Sequence, residues 1–354
     1  MKLSCITTVC NEGSLLLNSV GSVLAQSHGD FEYLIVDDGS GAETRAVLDG
    51  LDDSRITVIR QANDGPSSAR NRALSLATGD YVCFLDADDT RPTWAFEAIA
   101  REIRRSDPDL VLCRGALAED DGQLRPFYDD AILTALPAAL TAGGAGGGAQ
   151  MLAQLTEPQP ANKAVRRALL RDRHIGFPNT HFFEDIYFHT MCIAQARRIA
   201  VCDSPCFTYY RRFSKAQTTG SRDARRFDVL AVTRLTLDRF AGLAQSGDAA
   251  YRRAVLLSCL KLVRWSEDQV THYHKHHFRE LFIALLGLTD PRYLDPPRSL
   301  TKPVLDATAP QRAYLEQLLG DPRLAARQSL GDRASDAGSK LKTYLQRLRP
   351  DRHA

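Results

Sequence analysis

Residues 77–89, Ala-Thr-Gly-Asp-Tyr-Val-Cys-Phe-Leu-Asp-Ala-Asp-Asp, decide the fold. Tyr81 to Leu85 is a short, continuous apolar run with Gly79 before it and Asp86, Asp88 and Asp89 behind it. A run without polar alternation reads as a strand buried on both faces. Residues 66–77 ahead of it read as a helix, with Pro66 at its start and Gly79 just past its end. Residues 92–105 read as the next helix, and 109–114 as the next strand.

The same alternation extends toward the amino end. Strands are predicted at 3–9, 31–36 and 55–59, with helical spacing over 13–26 and 43–51. Strands separated by helices imply βαβ units, an α/β class and a mostly parallel sheet. In such sheets ligands bind beyond the carboxyl ends of the strands. Thr8, Asn11, Glu12, Asp37, Asp38, Asp86, Asp88 and Asp89 should therefore share one crevice.

Past residue 115 the pattern loosens. Residues 116–155 read as loop-rich, 162–173 and 182–196 as helical, and 201–211 as extended. Residues 131–156 carry no charge, but Pro137 and five glycines argue for a loop and short helix, not a membrane span. Residues 222–287 contain no proline and read as amphipathic helices. Three segments are expected: an α/β domain over 1–215, a smaller helical region over 216–325, and a basic tail over 326–354.

The 354 residues carry 45 Lys and Arg against 43 Asp and Glu, a net charge of +2. That balance lacks the footprint of a nucleic-acid binder. None of the eight cysteines forms a Cys-x-x-Cys pair, which disfavours a zinc ribbon. No charged-then-apolar leader opens the chain, and a reducing cytoplasm is the expected setting.

Three polar motifs carry the chemistry. Asp86-Ala87-Asp88 can hold a hard divalent cation, which prefers oxygen ligands and shares them with phosphates; its plain reading is a solvated loop. Asp37-Asp38-Gly39-Ser40 reads either as a turn with a helix cap or as a carboxylate for a base or ribose. Residues 63–71, Asn-Asp-Gly-Pro-Ser-Ser-Ala-Arg-Asn, place Arg70 in the opening turns of a helix, where a guanidinium suits a diphosphate or base edge. No Gly-x-Gly-x-x-Gly follows the first strand, so a nicotinamide or flavin enzyme is disfavoured.

Together these segments resemble the family 2 glycosyltransferases, which use the GT-A fold. The matching pieces are ITTVCNE at 6–12, LIVDDGS at 34–40, NDGPSSARN at 63–71 and ATGDYVCFLDADD at 77–89, in that order. The likeness continues more loosely through 162–170, 182–188 and 209–214. It implies that Thr8, Val9, Glu12, Asp37, Asn63, Gly65, Arg70, Asp86, Ala87 and Arg212 line a nucleotide-sugar pocket. It implies that Asp88, with Asp86, ligates Mn²⁺ or Mg²⁺ on the diphosphate. Asp185 aligns as the base that takes the acceptor's proton, with Glu184 beside it. Inverting transfer from a UDP-linked donor to a glycan or lipid-linked acceptor is the implied activity.

Two rivals remain at this point. A sugar nucleotidyltransferase would want a Gly-rich basic loop after the first strand, and the sequence has none there. A non-catalytic nucleotide-sugar binder would be expected to lose Asp88 or Asp185, and both are present. His272 and His276 have zinc-compatible spacing but read as an exposed helix face. Residues 261–265, Lys-Leu-Val-Arg-Trp, end like the QxxRW motif of processive synthases without its glutamine, and are taken as an accidental match. The basic tail suits peripheral contact with an anionic membrane surface, and the C-terminal helices suit homodimerisation.

Overall fold

The apolar run at the amino end forms β1 (Leu3–Val9), and β2 (Phe31–Asp38), β3 (Ile56–Gln61) and β4 (Tyr81–Phe84) follow it. All their mutual pairings are parallel: β1 with β2, β1 with β4, and β2 with β3. The computed structural model describes residues 1–119, 121–141, 148–180, 182–211, 224–295, 300 and 302–322. Between these strands run α1 (Leu16–Leu24), α2 (Ala42–Asp49) and α3 (Gly65–Leu76), with α4 (Ala95–Ser106) after β4. Pro66 lies in the first turn of α3, where its missing N–H costs nothing.

The sheet continues through β5 (Leu110–Ala118), β6 (Leu124–Pro126), β7 (Lys163–Arg166) and β8 (Ile199–Tyr210). Among the described residues the strand order is β3-β2-β1-β4-β7-β5-β6, with β8 also paired to β5. β8 runs parallel to β5, whereas β7 is antiparallel to β4 and β5, and β6 is antiparallel to β5. The sheet is mixed, mostly parallel and flanked by helices.

Two readings of the sequence are corrected here. Residues 162–173 are not one helix: Lys163–Arg166 is a strand, and α7 (Arg167–Asp172) begins only after it. Four residues carry no periodicity to read, and β7 exists because β4 and β5 flank it and bury Ala164 and Val165 completely. The loop-rich reading of 116–155 also gives way. β5 extends to Ala118, and α5 (Asp130–Thr141) and α6 (Gly148–Gln154) occupy much of the remainder. Pro137 sits inside α5 and removes one helical hydrogen bond. Burial of Leu133 and Leu136 on one side of the helix offsets that loss.

The chain divides into two compact units. The first comprises Met1–Gly143, Thr156–Phe177 and Gln195–Lys215. Its core joins Leu3, Cys5 and Val9 of β1 to Tyr33 and Ile35 of β2, Val20 and Val23 of α1, and Phe96 and Ile99 of α4. Each large side chain removed from water there contributes about 1.5–3 kcal/mol. Cys5 and Cys83 are register partners across β1 and β4 and pack as small apolar residues.

The second unit comprises Gly144–Leu155, Pro178–Ala194 and Ala216–Ala354. It holds α6, the start of α8 (Glu184–Gln195), α9 (Asp228–Ala241), α10 (Ala249–Gln269), α11 (His272–Leu288), α12 (Lys302–Ala307) and α13 (Ala309–Leu319). Asp248 caps α10 by accepting from the Ala250 and Tyr251 amides at 2.7 and 3.2 Å. Gln154 of α6 ties helices together, donating to Thr190 Oγ1 at 2.9 Å and Ser258 Oγ at 3.4 Å. Among the described residues, no helix is long and apolar enough to cross a membrane. The tail from residue 326 lies outside the described residues.

Candidate active site

Parallel pairing sets the carboxyl ends of β1, β2 and β4 level with one another. Val9 is the register partner of Asp37, and Ile6 is the partner of Phe84. The Leu85 amide extends that ladder by donating to Ile6 O at 2.9 Å. Thr7 Oγ1 then donates to Leu85 O at 2.8 Å. Asp86 follows Leu85 directly, two residues past the end of β4. The strand ends thus gather Thr8, Val9, Asp37, Asp86 and Ala87 on one edge of the first unit.

The turns beyond these strands are tied to each other by their side chains. Asn11 sits at φ +63°. Its amide donates to Ser40 Oγ at 3.1 Å, and its Oδ1 accepts from the Gly41 amide at 2.7 Å. Asp37, almost fully buried, accepts from the Ser40 amide at 2.9 Å. Gly39 has φ +74°, and a Cβ there would stand 2.7 Å from the Asn63 backbone nitrogen. Only glycine fits that close approach.

Asp38 does what the sequence did not reveal. Its carboxylate accepts from the amides of Asp64 at 2.9 Å and Gly65 at 3.0 Å, and from Gln61 Nε2 at 2.8 Å. It therefore caps α3 from a neighbouring strand, satisfying amides that the helix itself leaves open. Asn63 Nδ2 completes the junction by donating to Asp38 O at 3.0 Å and Cys10 Sγ at 3.2 Å. The one available signal was the second Asp of DDGS, and it has no fixed spacing to the helix it caps.

Arg70 is buried on α3. Its Nη2 donates to Asp86 Oδ1 at 3.1 Å, and its guanidinium lies over the Phe177 ring, 5.2 Å from the centroid. Asn71 fixes Phe177 through both backbone groups, donating to its carbonyl at 2.7 Å and accepting from its amide at 2.8 Å. Asn71 and Phe177 were not singled out in the sequence, because their partnership spans more than a hundred residues.

Asp86, Asp88 and Glu12 are each half-buried. Asp86 and Asp88 supply hard oxygen ligands of the kind Mg²⁺ and Mn²⁺ prefer. Among the described residues no group of three or more His, Cys, Asp or Glu is arranged to hold a metal. Two carboxylates fit a cation that takes its other ligands from substrate phosphates and water, as Mg²⁺ commonly does.

Glu184 and Asp185 open α8 in the second unit. Glu184 is buried and Asp185 half-buried. Carboxylates in a helix's first turn interact favourably with its dipole. Arg212 lies outside the described residues. His272, His274, His276 and His277 fall on α11, where His276 approaches Glu280 at 3.8 Å and His274 and His277 pack on Phe227.

The model of the glycosyl transferase family 2 matches residues 4–214, more than half of the chain. The chain belongs to glycosyl transferase family 2. An uncharacterized glycosyltransferase of Nostoc is 40% identical over 110 residues, which are 30% of this chain and 34% of that one. The putative teichuronic acid biosynthesis glycosyltransferase TuaG of Bacillus subtilis is 34% identical over 154 residues, 39% of this chain and 60% of TuaG. These matches span less than two thirds of either relative's length. Among solved structures, S. aureus TarS 1-349 in complex with UDP-GlcNAc superposes with a TM-score of 0.67. The match covers 99% of this chain and 93% of that one, at 20% identity. The GT-A architecture implied by the four motifs is thus the one observed.

Proposed function

We propose that this family 2 chain transfers a sugar from a nucleoside diphosphate donor to a hydroxyl of a glycan or lipid-linked acceptor, with inversion at the anomeric carbon. The observation that carries the reading is the pairing of Val9 with Asp37 at two strand ends, with Arg70 fastened to Asp86 two residues past the end of a third. A crevice edge of this kind is where parallel sheets hold nucleotides. UDP is the favoured nucleotide, since the TarS structure that shares the fold contains UDP-GlcNAc. The name of TuaG favours a cell-surface polysaccharide as the product's destination.

The roles follow from the chemistry. Asp37 accepts hydrogen bonds from the base, while Thr8, Val9 and Glu12 line its pocket, with Asn63, Gly65 and Ala87 around it. Arg70 lies beside the nucleotide. Asp88 and Asp86 would hold Mn²⁺ or Mg²⁺, which when bound stabilises the charge developing on the leaving diphosphate. The acceptor oxygen forms a bond to the anomeric carbon as the bond from that carbon to the diphosphate oxygen breaks. The electron pair leaves with the nucleoside diphosphate. Asp185 takes the acceptor's proton, Glu184 helps orient the acceptor, and Arg212 offsets charge on the diphosphate. The basic composition of the tail supports contact with an anionic membrane surface, where a lipid-linked acceptor resides.

The test is release of nucleoside diphosphate from a panel of UDP-, GDP- and dTDP-sugars with Mn²⁺, using wild type and Asp185→Asn. Release from one donor, reduced about 100-fold or more in the variant, is the expected result. Silence with every donor would remove the reading.

A further inference from the structure

Phe183 is the residue before α8, and its φ is +66°. For a bulky side chain that left-handed conformation is an outlier, kept only where its surroundings enforce it. The enforcing contacts all come from the second unit. The Phe183 ring meets Trp265 of α10 edge-on, with centroids 6.2 Å apart at 81°. The guanidinium of Arg226, itself 1% exposed, lies 4.3 Å from the Trp265 centroid. A desolvated cation over an indole is the strongest form of this contact. The neighbouring Phe182 amide donates to Asp228 Oδ2 at 3.3 Å, and Arg225 covers the Phe182 ring at 5.3 Å.

The strained residue also launches the helix. The Ile186 amide donates to Phe183 O at 3.1 Å, so the direction in which α8 starts depends on how Phe183 is held. Asp185 is two residues further, in the first turn.

We propose that Trp265, braced by Arg226, is a positioning residue for Asp185: it holds Phe183 in the left-handed turn that aims the carboxylate. The proposal rests on the reading of Asp185 as the base. A carboxylate that must meet one hydroxyl loses most of its value when displaced by a fraction of its reach. Trp265 touches no reacting atom in this scheme, and acts through Phe183.

The test uses the full chain, the sugar nucleotide that turns over best in the donor panel, and UDP for binding. Trp265→Leu is expected to lower kcat about tenfold or more, with UDP affinity unchanged. Trp265→Phe, which keeps an aromatic ring, recovers most of that loss. Phe183→Ala supplies a second handle, because alanine neither favours positive φ nor offers Trp265 a ring to hold. Its kcat falls too, and the double variant loses less than the product of the single losses. If either single variant keeps wild-type kcat while Asp185→Asn is inactive, the clamp is wrong. Losses that multiply, or that appear equally in UDP affinity, overturn it as well. Full activity in Asp185→Asn, or a wild type silent with every donor, overturns the base reading and with it the clamp.

Discussion

Arg70 and Asp86 meet at 3.1 Å, one from the opening of α3 and the other from the end of β4. The guanidinium lies over the Phe177 ring, and Asn71 fixes Phe177 by two backbone hydrogen bonds. If Arg70 meets the donor as proposed, the cation is oriented beforehand, which spares binding the cost of ordering it. Arg70→Lys keeps the charge but loses the planar fork and the stacking. UDP affinity is expected to fall about tenfold, a loss of roughly 1.4 kcal/mol. Titration calorimetry reads this directly, and unchanged affinity would separate Arg70 from the donor site.

Asp38 supports the same edge through α3. Its carboxylate holds the Asp64 and Gly65 amides and Gln61 Nε2. Asp38→Ala leaves those donors without that acceptor and is expected to cost about 2–3 kcal/mol of stability. Denaturant unfolding of wild type and variant measures it. A difference under about 0.5 kcal/mol, typical of inconsequential surface changes, would refute the capping role.

Cys10, which accepts from Asn63 Nδ2 at 3.2 Å, should report on occupancy of the proposed nucleotide pocket. It is exposed, whereas the other seven cysteines are buried. Partial burial and the negative charge of Asp38 raise its pKa, so less thiolate is present at neutral pH. Alkylation should therefore be slower than for a free cysteine, should modify one thiol per native chain, and should accelerate as the pH rises. UDP with Mn²⁺ should slow it further. Labelling that ignores UDP would place the nucleotide elsewhere.

Glu32 gives the first unit a defined acid limit. Burial raises its pKa, but hydrogen bonds from Ser4, from the Thr78 amide and hydroxyl, and from Lys2 outweigh that and lower it to about 2 from an ordinary 4.5. The folded value lies below the unfolded one. The stabilisation is thus present above about pH 4.5 and is lost as the pH falls from there toward about 2. Glu32→Gln should destabilise the protein at pH 7, with a gap to wild type that narrows through this window. Melting curves taken from pH 7 to pH 3 test it, and a constant gap would contradict the linkage.

Much of this was readable in the sequence, for physical reasons that differ by element. β1, β2 and β4 announce themselves because strands buried on both faces must be continuously apolar, and their flanking Asp and Gly residues mark the ends. The gathering of Val9 and Asp37 at one edge follows, since parallel strands place their carboxyl ends together. β7 was not readable, because Lys163–Arg166 is a strand only by virtue of its neighbours. Asp38 looked like part of a local turn, yet its carboxylate is held by Gln61 at the end of β3 and by the Asp64 and Gly65 amides where α3 begins. Phe183 gave no sign of a positive φ, since bulky residues rarely adopt one. Trp265 read as an accidental motif match, and its contact with Phe183 depends on tertiary packing that no local pattern encodes.

The central claim is that Asp86 and Asp88 at the end of β4 bind a nucleoside diphosphate through a divalent cation. Calorimetric titration of UDP, with and without Mn²⁺, into wild type and Asp88→Ala tests it most directly. The account predicts binding that Mn²⁺ strengthens about tenfold or more in wild type, and an enhancement that disappears in the variant. Equal affinity under all four conditions, or no binding of UDP in any of them, would contradict it.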